Sequence, residues 1–281
     1  MLDLTDQIKL RPLSGSIGAE LSGIDLSRDL PDETIATIRQ AWLDHGVIFF
    51  RDQNLPPARF LALARRFGEV VEYPFVKGLA DYPEIIPVIK LEHERSNFGG
   101  VWHTDTAYLD IPPMGTMLIA REVPQAGGDT LFASGTHAYE ALSDGMKHLL
   151  EGLKGVNTSA KADVTKTRED RIKDSARSDA RKEYEAAHPV VRTHPETGRK
   201  SLYVNIAHTQ RLAGMTDEES AGLLNYLFQH QTRPEFTCRF HWEPGSIAFW
   251  DNRCALHNPI NDYHGHRRVM HRITLAGDTP V

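Results

Sequence analysis

Two short stretches of this sequence hold side chains whose types and spacing suit metal chemistry. GGVWHTDTAYLD, residues 99–110, carries His103 and Asp105 with one residue between them. In extended chain, residues i and i+2 point to the same side. At a strand end facing a cavity, the pair would offer an imidazole and a carboxylate to one point. A redox iron that must also bind a co-substrate and oxygen needs few protein ligands, because two imidazoles and one carboxylate on one face leave three positions open. The third ligand has to come from elsewhere in the chain. His257 in FWDNRCALHNPINDY is the best candidate, read as following a strand and opening a loop. The chain has 14 histidines, and His264, His266 and His271 form competing sets. They fall in a glycine-containing loop and a basic strand start, where exposure is expected, and spacing alone leaves them open.

A second chemistry is anion binding. HGHRRVMHR, residues 264–272, places Arg267, Arg268 and Arg272 in one short segment. Arg268 and Arg272 are four apart and share a face of a strand. A guanidinium is a planar fork that matches a carboxylate or sulfonate. Two inward arginines beside a metal would hold two anions or one dianion; the alternative is an edge strand with its basic residues turned outward. In GGDTLF, residues 127–132, Gly127 and Gly128 permit a tight turn or a close backbone approach, and Thr130 brings a hydroxyl that can donate to an anion.

These residues need a scaffold. Residues 31–45 predict a helix, with Pro31 at its start, acidic residues in the first turn, Ile35, Ile38 and Trp42 on one face and Gly46 at its end. VIFF, 47–50, predicts a short buried strand, and PPARFLALARRFG a second helix ending at Gly68. From about residue 100 short β-rich runs alternate with turns: 115–120, 129–134, 188–204, 236–242, 246–251 and 267–277. Two helices interrupt them, one over roughly 136–153, the other after a Thr216/Glu219 capping box with Leu223, Leu224, Leu227 and Phe228 on its apolar face. The pattern predicts a mostly β fold with flanking helices, a jelly roll, in one domain spanning 1–281. A polar insertion, helical or a lid, is expected at about 157–187, because 15 of the 25 residues from 161 to 185 are charged.

Composition narrows the partners. The net charge of −6 and the lack of a basic stripe argue against nucleic acid. No run approaches the roughly 18 apolar residues of a membrane span, and the N-terminus has no signal-peptide core. Cys238 and Cys254 form neither a CxxC pair nor a disulfide framework, which fits a reducing, cytoplasmic compartment.

In order along the chain, WHTD (102–105), GGDT (127–130), WDNRCALH (250–257) and NDYHGHRRVMHR (261–272) resemble the taurine dioxygenase family of Fe(II)/2-oxoglutarate-dependent oxygenases, which also contains chlorophenoxyacetate and alkylsulfate dioxygenases. The resemblance runs from GAELSGIDLS to the last strand. It implies a double-stranded β-helix, the jelly-roll variant, with Fe(II) on His103, Asp105 and His257. Thr130 and Arg268 match the positions that hold the distal carboxylate of 2-oxoglutarate, Arg272 the arginine near the substrate's anionic group, and Trp250 an aromatic residue close to the iron. It implies O2 as the other co-substrate, succinate and CO2 as products, and a homo-oligomer, dimer or tetramer. Related halogenases lack the carboxylate ligand, so Asp105 favours hydroxylation of a small organic anion: a sulfonate, sulfate ester, carboxylate or phosphonate. The chain departs from taurine-using members at three pocket positions. Tyr73 stands where they have a histidine, Gly99 where they have an asparagine, and His208 where they have an aromatic residue. These departures point away from taurine itself. A redox-inactive metal hydrolase and a non-catalytic binding protein on the same fold are the alternatives; the first would not require Arg268 and Thr130 in matching order, and the second would be supported by loss of a ligand, yet all three are present.

Overall fold

The computed structural model describes residues 8–73, 76–97, 99–161 and 183–281 of the chain. The expected polar insertion falls for its greater part, 162–182, outside the described residues.

The chain begins with an antiparallel pair, β1 (Lys9–Pro12) and β2 (Ala19–Ser22). Helix α1 (Asp32–His45) follows as expected and ends at Gly46, whose φ of 69° lets its N–H bond back to the Trp42 carbonyl. After β3 (Val47–Phe50) comes α2 (Pro57–Arg65), then β4 (Val70–Val71), β5 (Ile86–Lys90), β6 (Gly115–Glu122) and β7 (Thr130–Ser134). The single helix expected over 136–153 is two helices, α3 (Gly135–Glu140) and α4 (Asp144–Leu150). Ser134 and Ser143 each cap one by accepting a backbone N–H, so the second serine restarts the helix rather than continuing it. β8 (Lys154–Thr158) and β9 (Glu185–Pro189) pair antiparallel at the two ends of the polar insertion. β10 (Val191–Thr193) and β11 (Lys200–Leu202) form a hairpin, and β12 (Thr209–Leu212) pairs with β8. Helix α5 (Asp217–Gln231) carries the expected capping box. The chain finishes with β13 (Thr237–Phe240), β14 (Ile247–Asp251), β15 (Ala255–Pro259) and β16 (Arg268–Leu275).

An eight-stranded sheet runs β1-β2-β3-β14-β6-β16-β4, with β5 also on β16, and faces a three-stranded sheet, β13-β7-β15. This is the jelly-roll arrangement. Strand alternation explains why β14 is buried throughout. Ile247 and Phe249 turn towards α1 and α2, where Phe249 stacks on Trp42 at 4.2 Å. Ala248 and Trp250 turn the other way, into a core shared with Phe132, Phe240 and Trp242 of the smaller sheet and its margin. Each large aromatic buried in this way contributes about 3–5 kcal/mol against truncation to alanine. Met270 of β16 lies in the same inter-sheet core, and Arg268 and Arg272 share its face of the strand. The two arginines therefore point between the sheets and not outward.

Candidate active site

His257 lies within β15, not at the start of a loop, and faces Phe132 of β7 across the ladder. The Asn258-Pro259 pair after it looks like a turn in sequence, yet the smaller sheet keeps both residues extended. His103 joins that sheet through an isolated antiparallel bridge: each of His103 and His257 donates its N–H to the other's carbonyl, at 3.0 and 2.8 Å. The two rings are thereby 4.1 Å apart, centre to centre. Asp105 sits beyond the bridge in a turn rather than on a strand, and its Oδ1 is 3.8 Å from Nε2 of both histidines. That is too long for a hydrogen bond, so three donor atoms converge without satisfying one another, as metal ligands do. His103 Nδ1 lies 2.7 Å from the Val101 carbonyl and donates to it in the tautomer that leaves Nε2 free as a ligand. Burial, opposed by Asp105, lowers the His103 pKa; burial and then His103 push His257 well below its usual range. Neutral imidazoles are what a metal needs.

Asp105 is held from behind. Thr116 of β6 donates to its Oδ2 at 2.7 Å, and Arg272 Nη2 is 3.2 Å from the same oxygen. Asn252 donates to Thr116 Oγ1 at 3.0 Å and accepts from Trp250 Nε1 at 3.0 Å and from the Asp105 N–H at 3.4 Å. Burial acts against the charge, but Arg272, the two histidines and Thr116 outweigh it and keep the carboxyl far below the usual carboxylate range. Thr116 and Asn252 were not among the residues the sequence singled out. Asn252 lies far from Asp105 along the chain, and Thr116 reaches it only because β6 turns back behind the metal cluster.

The expected anion-binding residues line a pocket between the sheets. It is bounded by His103 and His257, Thr130, Trp250, Arg268 and Arg272. Thr130 Oγ1 accepts from Trp242 Nε1 at 3.0 Å, which leaves its hydroxyl hydrogen to donate. The turn before it is built as the two glycines allowed. The Gly128 N–H donates to Asp262 at 2.7 Å, and a Cβ on Gly127 would sit 2.8 Å from Asp262 Oδ1. Arg268 is buried, and its Nε and Nη2 have no hydrogen-bond partner. Buried guanidinium atoms without partners are costly, so this is a site shaped for an anion. Lys90, paired in register with Arg268, is also buried with no hydrogen-bond partner for Nζ, which lies 4.4 Å from the Tyr263 ring centre. Its signal in the sequence, one lysine closing an apolar strand, was too weak to find it.

A second cavity of about 310 Å³ opens beside the first and shares His103 and Arg272 with it. Tyr73, Gly99 and His208 all line this larger space, as do Asp105, Tyr108 and Asn97. Gly99 has a φ of 71°, and a Cβ there would be 2.7 Å from His103 Cε1 and 3.1 Å from Nε2. Glycine is thus required for the His103 ring to stand where it does. Arg272 lies over the Tyr73 ring at 5.1 Å, and its Nε and Nη2 lack hydrogen-bond partners despite the close approach of Asp105.

The competing histidines are placed elsewhere. His264 and His266 are exposed, and His271, on the other face of β16 from Arg272, accepts from Arg121 at 3.2 Å. Among the described residues, His194, Asp251 and Cys254 form the other cluster of metal-ligand types. There Arg253 binds both Asp251 oxygens, at 2.8 and 2.7 Å, and His194 binds one at 3.0 Å, so the carboxylate is already used as a structural clasp.

A jelly roll that turns two histidines and an aspartate to one point able to hold a metal ion, beside two buried arginines, has the residue types a non-haem Fe(II) dioxygenase that uses 2-oxoglutarate requires. The model of the family described as Taurine catabolism dioxygenase TauD, TfdA family matches residues 9–274, and the chain belongs to that family. An alkylsulfatase of Acinetobacter baylyi is 38% identical over 98% of this chain and 86% of its own length. An alpha-ketoglutarate-dependent sulfate ester dioxygenase of Pseudomonas putida is 34% identical over 98% of this chain and 91% of its own. The crystal structure of a taurine dioxygenase from Burkholderia xenovorans superposes with a TM-score of 0.84 at 36% identity, covering 98% of this chain and 91% of that one. The protein is therefore an enzyme, and the hydrolase and non-catalytic alternatives are set aside.

Proposed function

We propose that the protein hydroxylates an organic sulfate ester or sulfonate at the carbon bearing the anionic group. His103, Asp105 and His257 hold Fe(II), Thr130 and Arg268 hold the distal carboxylate of 2-oxoglutarate, and Arg272 receives the substrate anion beside Tyr73, Gly99 and His208. The observation that carries this reading is Arg272. It is a buried guanidinium, shared by both cavities, whose Nε and Nη2 make no hydrogen bond and whose Nη2 is ion-paired at 3.2 Å with Asp105. The names of the alkylsulfatase and sulfate ester relatives favour sulfate esters among the possible anions.

Bound iron, 2-oxoglutarate and O2 supply an oxidant that puts one oxygen atom into a C–H bond and the other into succinate, with release of CO2. The chain's own groups do the positioning. Thr116 and Asn252 fix the Asp105 carboxylate, the Val101 carbonyl fixes the His103 tautomer, and Trp250, with its ring 4.7 Å from that of His257, covers one side. Arg272 anchors the anion so that the adjacent carbon faces the metal, which converts binding into orientation. For a sulfate ester RCH2–OSO3⁻ the product RCH(OH)–OSO3⁻ collapses to RCHO and HSO4⁻, which breaks the C–O bond without any hydrolytic nucleophile.

The same reading takes the chain as one domain, assembled as a homo-oligomer, a dimer or tetramer, in the cytoplasm, with no nucleic-acid or membrane partner. In its support, the net charge is −6, both cysteines are free, and no helix among the described residues is long and apolar enough to cross a membrane.

The test is succinate formation across a panel of alkyl sulfates, alkanesulfonates, taurine and carboxylates, with iron and 2-oxoglutarate supplied. The expected result is oxygen-dependent succinate well above the substrate-free rate with alkyl sulfates or alkanesulfonates, and little stimulation by taurine. Stimulation by carboxylates alone would overturn the assignment to sulfo compounds.

A further inference from the structure

Arg272 cannot complete the recognition of a sulfo group by itself. Its fork engages two oxygens lying in one plane, which satisfies a carboxylate. A sulfate ester or sulfonate is tetrahedral and presents a third oxygen out of that plane, and an anion oxygen left without a donor in a desolvated pocket costs affinity. The donor for it has to come from another wall of the cavity.

The wall leading away from Arg272 is continuous. The guanidinium lies over Tyr73, Tyr73 and Tyr108 are joined through their hydroxyl groups, and the Tyr108 ring meets His208 edge-on at 4.9 Å. His208 is only 4% exposed and lines the same 310 Å³ cavity as Arg272. Its backbone is fixed: the N–H donates to Asn205 Oδ1 at 2.8 Å and the carbonyl accepts from Thr158 at 2.9 Å. The ring lies beside the Ala207 backbone, and its Nδ1 is buried with no hydrogen-bond partner. The ring also stands outside the metal cluster, 6.1 Å centre to centre from His103, so it is not a fourth ligand. An imidazole keeps an N–H donor in either protonation state.

We propose that the His208 imidazole donates the third hydrogen bond to a tetrahedral sulfo group seated on Arg272, and so sets the preference for sulfate esters and sulfonates over carboxylates. The inference rests on the reading of Arg272 given above. It makes His208 a specificity-determining residue, not a ligand or a proton carrier. A packing role for the ring, against Tyr108, would make no distinction between headgroups.

The probes are hexyl sulfate, hexanesulfonate and heptanoate, with wild type, His208→Phe and His208→Asn. Phenylalanine keeps an aromatic wall without an N–H, and asparagine restores a donor close to the ring nitrogen. Binding is measured by calorimetry on the anaerobic complex with Fe(II) and 2-oxoglutarate, and kcat and KM by succinate release. For His208→Phe the expected result is a fall of about 10- to 100-fold in the ratio of sulfo to carboxylate affinity. It should appear in KM more than kcat, with thermal stability retained and most of the ratio recovered in His208→Asn. An unchanged ratio, or equal weakening of all three probes, overturns the proposal. Wild type that binds no sulfo probe overturns it together with the reading of Arg272. Wild type that binds sulfo probes through His208 yet does not turn them over overturns only the proposed reaction.

Discussion

Thr116→Val tests the support of the Asp105 carboxylate. The substitution keeps the β-branched shape on β6 and removes one hydroxyl. That hydroxyl makes the 2.7 Å hydrogen bond to Asp105 Oδ2, whereas Arg272 approaches the same oxygen at 3.2 Å without hydrogen-bond geometry. A hydrogen bond to a charged group contributes about 1.5–3 kcal/mol, which corresponds to roughly 10- to 150-fold in an equilibrium constant. Loss of groups that orient metal ligands costs about 10- to 100-fold in metal affinity, which agrees. Asn252 Nδ2 also loses its 3.0 Å acceptor, so stability should fall by about 1–3 kcal/mol as well. The assay is anaerobic competition for Fe(II) against a coloured chelator, with thermal melts in parallel. The expected outcome is iron affinity weakened about 10- to 100-fold, with Thr116→Ser close to wild type because it restores the oxygen. Iron affinity unchanged in Thr116→Val would refute the idea that this hydrogen bond orients Asp105.

Arg268→Ala removes the buried guanidinium whose Nε and Nη2 are without partners. It should raise the 2-oxoglutarate KM by about 30- to 5000-fold, the range for one half of a buried charge pair, and an unchanged KM would reassign the cosubstrate arginine. Gly99→Ala places a Cβ 2.7 Å from His103 Cε1; the ring must shift, so iron affinity should drop, and retained wild-type affinity would show that the loop yields instead. Asp251, paired with Arg253 and His194, has its pKa lowered from 3.8 to about 2, burial opposing and the two partners prevailing. A depressed carboxyl stabilises the fold above its unfolded pKa and ceases to do so as pH falls through the folded value. Thermal stability should therefore decline between about pH 4 and pH 2. Asp251→Asn should lower stability at pH 7 and flatten that decline, and an unaltered acid profile would discount the clasp.

The sequence carried the parts of the site that depend on local spacing. Arg268 and Arg272 at i and i+4 share an inward face because strand alternation is a property of the backbone itself. Gly127, Gly128 and Thr130 likewise kept their expected turn. What sequence could not supply was contact between distant segments. The His103–His257 bridge singles out His257 from the competing histidines, which in the sequence only the WDNRCALH resemblance had marked. The Asn258-Pro259 pair even disguised its strand as a loop. The same holds for Asn252 behind Asp105; for Thr116 and Gly99, near their partners in sequence, what was missing was the direction of the side chain or of the absent Cβ. The helix expected over 136–153 broke because Ser143 competes for backbone N–H groups, a local effect that the apolar pattern hid.

The central claim is that His103, Asp105 and His257 together hold one Fe(II). Anaerobic equilibrium binding with 2-oxoglutarate present tests it most directly, on wild type and on the three single alanine variants. The account predicts one iron per chain in wild type, with affinity sharply reduced and succinate formation abolished in each variant. Wild-type iron affinity in any one of the three would contradict it.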